Sequence, residues 1–100
     1  MDTRQLRTLV AVSEQGTFAR AAEIVHLTPS AVSQQMQALE QEMGVSLFNR
    51  DTRPPTLNVH GLQLLETARS VLRVVEETQS AMRGERKTGT LNIGSVRTST

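Results

Sequence analysis

One stretch limits the folds open to this chain more than any other: residues 28–40, reading TPSAVSQQMQALE. It reads as a single helix with two unlike faces. Thr28 is suited to cap its start, because a threonine hydroxyl accepts from an unpaired N–H of the first turn. Pro29 then falls at the first helical position, where its missing N–H costs nothing. Gly44 suits the end of the helix, since glycine tolerates the left-handed conformation found there. At about 100° per residue, Val32, Met36, Leu39 and Met43 share one face and are expected in the core. Ser30, Ser33, Gln34, Gln37 and Gln41 share the other. That polar face has donors and acceptors but no carboxylate, and Glu40 and Glu42 stand to its flanks. Such a face suits the major groove of DNA, where Ser and Gln can bond base edges and a carboxylate would be repelled by phosphates.

Composition narrows the rest. The chain has 100 residues, enough for one small domain and an extension. Phe18 and Phe48 are its only aromatics, so the core must be built from Leu, Val, Ile, Met and Ala, which suits packed helices. There is no cysteine, which excludes disulfides, thiol catalysis and zinc fingers in this segment. His26 and His60 alone do not make a metal site, and both are read as structural residues. The first residues lack a signal peptide's apolar run, and no stretch is long enough to span a bilayer, so no membrane is expected and the default is a cytoplasmic protein. Net charge is only +1 for the chain, and through His60 five arginines face six carboxylates. A DNA-binding module usually has a clear basic excess. This one, if it binds DNA, relies on a few placed arginines and on helix N-termini.

Residues 3–15 read as an amphipathic helix with Leu6, Leu9, Val10 and Ser13 on one face. Gly16 ends it and Thr17 can cap the next. Residues 18–26 form a short Ala-rich helix with a core stripe of Phe18, Ala22 and Val25. His26 and Leu27 lead into Thr28. A short bracing helix, a tight turn and a capped reading helix make a helix-turn-helix over about residues 18–37. The period then changes. Residues 45–50 look like a short strand, residues 51–55 a loop stiffened by two prolines, and Thr56-Leu57 the return strand. Together they make a wing with Arg50 and Arg53 flanking its tip.

Asn58 can cap a long helix from Val59 to about Arg86. Leu65, Ala68, Leu72, Val75, Gln79 and Met82 recur at spacings of three and four, and Leu64 and Val71 widen the stripe. The stripe is to be buried against its own domain or against a second chain. Its length favours the same helix from another copy, in a coiled-coil-like dimer. Residues 84–89 read as a hinge. Leu91-Asn-Ile-Gly94 reads as a strand with nothing to pair with, so the chain is expected to be the front part of a longer protein. The expected divisions are 1–58, 59–88 and 89–100, and the fold class is mainly α, a winged helix-turn-helix followed by a long dimerising helix.

Several motifs recur in order: Gly16-Thr-Phe18, Ala21-Ala22, Pro29-Ser-Ala-Val-Ser33, Leu39-Glu40, Met43-Gly44, Leu47-Phe-Asn-Arg50, Arg53 and Leu57-Asn-Val-His-Gly61. In this ordered spacing the chain resembles the N-terminal DNA-binding part of the LysR-type transcriptional regulators. The match runs from Leu6 to about Leu65, and more loosely to Gly94. The resemblance implies a winged helix-turn-helix, a dimerising linker helix and a separate C-terminal domain that binds a small-molecule effector, of which residues 89–100 would be the start. No cofactor is expected in this segment. The resemblance also implies DNA contacts from Pro29, Ser30, Ser33 and Gln34 and from Arg50 and Arg53. Asn58 stands where the family usually has Thr, and His60 where it has a small residue. Gln34 often corresponds to an Arg, and glutamine there favours adenine over guanine.

Thr28 is read mainly as a cap, though the free N–H groups of that first turn can also hold a phosphate. Gln37, one turn further on, is a weaker candidate for base or phosphate contact than Ser33 and Gln34. Arg50 either meets a phosphate or pairs with an acid such as Glu40. Arg53, at the tip, suits the minor groove or a phosphate. The leading function is a sequence-specific transcription regulator that binds double-stranded DNA as a homodimer, with a tetramer open to the full-length protein. The alternative is a helical interaction and dimerisation module without DNA binding, which the near-zero charge favours and the wing arginines do not explain. An enzyme is the weakest reading, because the chain lacks an acid pair, a Gly-rich phosphate loop and a nucleophile set, so no catalytic residue is expected.

Overall fold

The computed structural model describes residues 1–84. Four helices and a two-stranded antiparallel sheet follow in the order α1 (Thr3–Gln15), α2 (Phe18–Val25), α3 (Pro29–Met43), β1 (Phe48–Asn49), β2 (Thr56–Leu57) and α4 (Val59–Met82). This is a mainly helical winged helix-turn-helix with a long final helix, as expected.

Each helix start is chemically marked. Asp2 caps α1, accepting from Gln5 N–H at 2.9 Å, while the Gln5 side chain accepts from Asp2 N–H at 3.0 Å. This reciprocal pair satisfies two donors at once. Thr17 caps α2 through Arg20 N–H, and Thr28 caps α3 through Ala31 N–H, both at 3.1 Å. Asn58 caps α4 through Gly61 N–H at 2.9 Å. Gly16 and Gly44 end α1 and α3 in the left-handed region. His26 does the same for α2 at φ 61°, so the second helix stops at Val25 and His26 is an exposed turn residue.

The core lies where α1 meets α2, α3 and α4. Leu9, Ala21, Val32, Met36, Leu39 and Ala68 are completely buried there, with Leu47 and Phe48 from the wing side. Because α1 faces three helices, it buries more than the expected stripe: Ala11 and Val12 are core, while Val10 and Ser13 are only half-buried. Met43 is 42% exposed, which corrects its expected place in the core. The helix reaches past the edge of the domain in its last turn, so the apolar stripe outruns its cover.

The wing differs from expectation in its entry. Only Phe48 and Asn49 are strand, paired with Leu57 and Thr56. Residues 45–47 lie outside the ladder, and backbone groups of Ser46 and Leu47 are engaged by Glu40 and Asn58 instead. Leu47 N–H donates to Glu40 at 2.8 Å, Ser46 O accepts from Asn58 Nδ2 at 2.9 Å, and Leu47 O accepts from Asn58 N–H at 2.9 Å.

The last helix ends at Met82, with Arg83 as its cap and Gly84 at φ 76°, so Arg83 and Gly84 are not part of the helix expected there. The rest of the expected hinge, the strand at residues 91–94 and the start of a further domain at 89–100 lie outside the described residues. Among the described residues, no helix is long and apolar enough to cross a membrane.

Candidate nucleic-acid interface

The start of α3 is built to leave polar groups unengaged. The Thr28 hydroxyl takes Ala31 N–H, and the Thr28 carbonyl takes Val32 N–H at 3.0 Å. Pro29 has no N–H to place. With Val32 and Met36 completely buried, the helix is rotated so that Ser30, Gln34 and Gln37 are exposed and Ser33 is half-buried. None of these four side chains has a hydrogen-bond partner within the described residues. The sequence placed them on one outward face, and the structure keeps them there. Their hydrogen-bonding capacity is available to a ligand at no cost to the fold, since no internal bond must break first.

Two arginines flank the wing, and they differ. Among the described residues, Arg53, in the exposed loop between β1 and β2, has no acidic or hydrogen-bonding partner. Arg50 is held, with its Nη2 3.0 Å from Glu40 Oε1 and its guanidinium carbon 5.5 Å from the centroid of the Phe48 ring. The structure shows the pairing of Arg50 with Glu40, one of the roles open to Arg50 from sequence.

Residues 3–62 match the sequence profile of the family described as bacterial regulatory helix-turn-helix protein, lysR family. The chain belongs to this family. The LysR-type match covers every element from α1 to the first turn of α4. The HTH-type transcriptional regulator PecT of Dickeya dadantii is 47% identical over 94 residues, covering 94% of this chain and 30% of PecT. The regulator ClcR of Pseudomonas putida is 42% identical over 89 residues, covering 85% of this chain and 30% of ClcR. The chain thus spans under a third of the length of these relatives. Among solved structures, the CbnR DNA-binding domain in complex with DNA matches with a TM-score of 0.78 at 37% identity, covering 84% of this chain and 97% of that one. The BenM DNA-binding domain bound to benA site 1 DNA matches with a TM-score of 0.78 at 32% identity, covering 83% and 93%.

Within this LysR-type domain, the residues expected to form a dimer seam divide into two groups. Leu64, Ala68 and Leu72 belong to the domain's own core, and Val71 packs against it, so for these four the cover left open by the sequence comes, within one chain, from the domain itself. The first half of α4 lies along α1, so the apolar stripe has an intramolecular partner there. Leu65 is buried but stands outside that cluster. Val75 is half-buried and Met82 is 83% exposed. Val74, not singled out in the sequence, is 58% exposed beside them.

Sequence reasoning also understated Glu40 and Asn58. Glu40 accepts from Arg50, Leu47 N–H and the Ser46 hydroxyl, and Asn58 joins the wing to α4 while capping that helix. Asn58, set between Leu57 and Val59, was a visible signal, whereas Glu40, followed by Gln41 and Glu42, stood out in no such way. The atoms they meet come from residues up to twelve positions away and were not visible.

Proposed function

We propose that this segment is the DNA-binding part of a sequence-specific transcription regulator, acting on double-stranded DNA as a homodimer. The observation that carries this reading is the outward face of α3: Ser30, Ser33, Gln34 and Gln37, unpartnered and free of carboxylate. Held in a major groove, Ser33 and Gln34 bond base edges, and Gln37 extends the contact one turn further. Pro29 and the capped first turn at Thr28 approach the backbone, where Ser30 N–H has no acceptor among the described residues and can meet a phosphate. Arg53 reaches the adjacent minor groove or backbone. The named regulators among the relatives and the DNA complexes among the structural neighbours support the same reading.

Dimerisation rests on the second half of α4. At 100° per residue, Met82 stands about five turns above Leu64 on the same face, so the stripe that covers the core continues past it. Val75, Met82 and the flanking Val74 are what a second copy would cover. Two reading helices then share one DNA site, which offsets the modest charge of each. A small-molecule effector bound by a further domain, and a cytoplasmic setting, belong to the same proposal.

The near-neutral charge is what speaks for an interaction module instead. One experiment separates the two: selection of bound duplexes from a random DNA pool at low salt, using this segment. Enrichment of a motif with two related half-sites is the expected result. A pool that emerges without enrichment removes the DNA-binding reading.

A further inference from the structure

Phe18 and Phe48 are the only aromatic residues of the chain, and they meet edge to face with centroids 5.4 Å apart. Phe18 is the first residue of α2, the bracing helix; Phe48 is the first residue of β1. The row of contacts continues. Arg50 lies 5.5 Å over the Phe48 ring, and its Nη2 meets Glu40 Oε1 at 3.0 Å. The other carboxylate oxygen of Glu40 accepts from Leu47 N–H at 2.8 Å and from the Ser46 hydroxyl at 3.3 Å. Bracing helix, wing and reading helix are thus joined through four side chains. The Glu40 side chain is only 16% exposed, so its charge is partly withdrawn from water and its bonds are stronger than those of a surface pair.

The wing needs such a brace. Its ladder is two residue pairs long, and a two-stranded hairpin has little stability of its own. Its angle to α3 must come from contacts outside the ladder. Arg50 also brings no net charge to the surface, because Glu40 cancels it, whereas Arg53 has no acidic partner among the described residues.

We propose that Glu40 and Arg50 are positioning residues: they form a strut that sets the wing against the reading helix and so governs sequence discrimination, and Arg50 is not itself a phosphate contact. The proposal rests on the DNA-binding reading above and deepens it. With the angle fixed, the α3 face and Arg53 reach one DNA site together. With the strut broken, each still meets DNA, but not in the one register that a particular sequence offers.

The test uses fluorescence anisotropy with two labelled duplexes, one selected by the wild-type protein and one scrambled, titrated across a range of salt. The variants are Glu40→Gln, Arg50→Gln and Arg50→Lys, each checked for folding by circular dichroism. Glu40→Gln keeps an acceptor for Leu47 N–H but turns an amide donor towards Arg50. Arg50→Lys keeps the charge and loses the planar fork and the ring stacking. The expected result for each is about a tenfold loss on the selected duplex, the scale of one charge-assisted bond, with affinity for the scrambled duplex and the salt slope unchanged. Three results overturn the proposal: Arg50→Gln lowering affinity for both duplexes and flattening the salt slope by about one, which makes Arg50 a phosphate contact; Arg50→Lys binding the selected duplex as wild type does; or Glu40→Gln raising affinity for both, which makes Glu40 only a repelling charge. Wild-type protein that binds neither duplex removes the DNA-binding reading and the strut with it. Wild-type binding with unaffected variants removes the strut alone.

Discussion

Gly61 presses directly on the carbonyl oxygen of Leu47. A Cβ built on Gly61 would overlap that oxygen and stand 2.7 Å from Leu57 Cδ2. The first turn of α4 therefore sits against both sides of the wing, and Asn58, one turn earlier, bonds the same Leu47 carbonyl through its N–H. Gly61→Ala forces a backbone oxygen to move, and the expected cost is about 1–3 kcal/mol, as for other overpacked sites. Thermal unfolding followed by circular dichroism measures it. An unchanged melting temperature would mean that the wing yields freely.

Thr28→Ala removes the acceptor of Ala31 N–H at the start of α3. A lost cap costs about 1 kcal/mol, and Thr28→Ser, which keeps the hydroxyl, should recover most of it. Chemical denaturation of the three proteins provides the comparison; equal midpoints for alanine and serine would assign the loss to the methyl group instead.

Ser33→Ala should leave the fold intact, since the hydroxyl has no partner among the described residues. Specific DNA affinity should drop by roughly 1 kcal/mol, the value of one hydrogen bond. Gln34→Ala should in addition relax the preference for adenine at one position of each half-site. Competition binding with single-base variants of the selected duplex reads both effects. Unaltered affinity and base preference would take this face out of the major groove.

Arg53→Ala removes the unopposed cation of the wing loop. Affinity should fall alike for selected and scrambled duplexes, and the salt slope should flatten by about one. The measurement is binding across a salt series, and an unaltered slope would strike the wing tip from the contact surface.

Val74→Glu and Met82→Glu place charge on the exposed half of α4, where neither residue supports the domain's own core. Both should remain folded and become monomeric in sedimentation. Leu72→Glu, at a core position, should instead lower thermal stability, because a carboxylate there is buried among apolar neighbours. Charged variants at 74 and 82 that stay dimeric would move the interface elsewhere.

Local chemistry was enough to place most of this domain. Thr17, Thr28 and Asn58 cap the helices that follow them, and Gly16 and Gly44 end the ones before them. These are interactions across three or four residues, so the order of residues carries them. The polar face of α3 was legible for the same reason: helical period alone sets Ser30, Gln34 and Gln37 opposite Val32 and Met36.

What the tertiary structure decided are the questions of what covers what. The apolar stripe of α4 has one period from Leu64 to Met82, yet α1 covers its first half and leaves Met82 bare. Periodicity states that a face must be buried and does not name its partner. In the same way, Arg50 could be read as a free charge until Glu40 and Phe48 were brought to it by the path of the chain. The capped reading helix was determined by the sequence itself. Its angle to the wing comes from contacts between residues such as Glu40 and Leu47 that meet only because the core has closed, and no local rule specifies them.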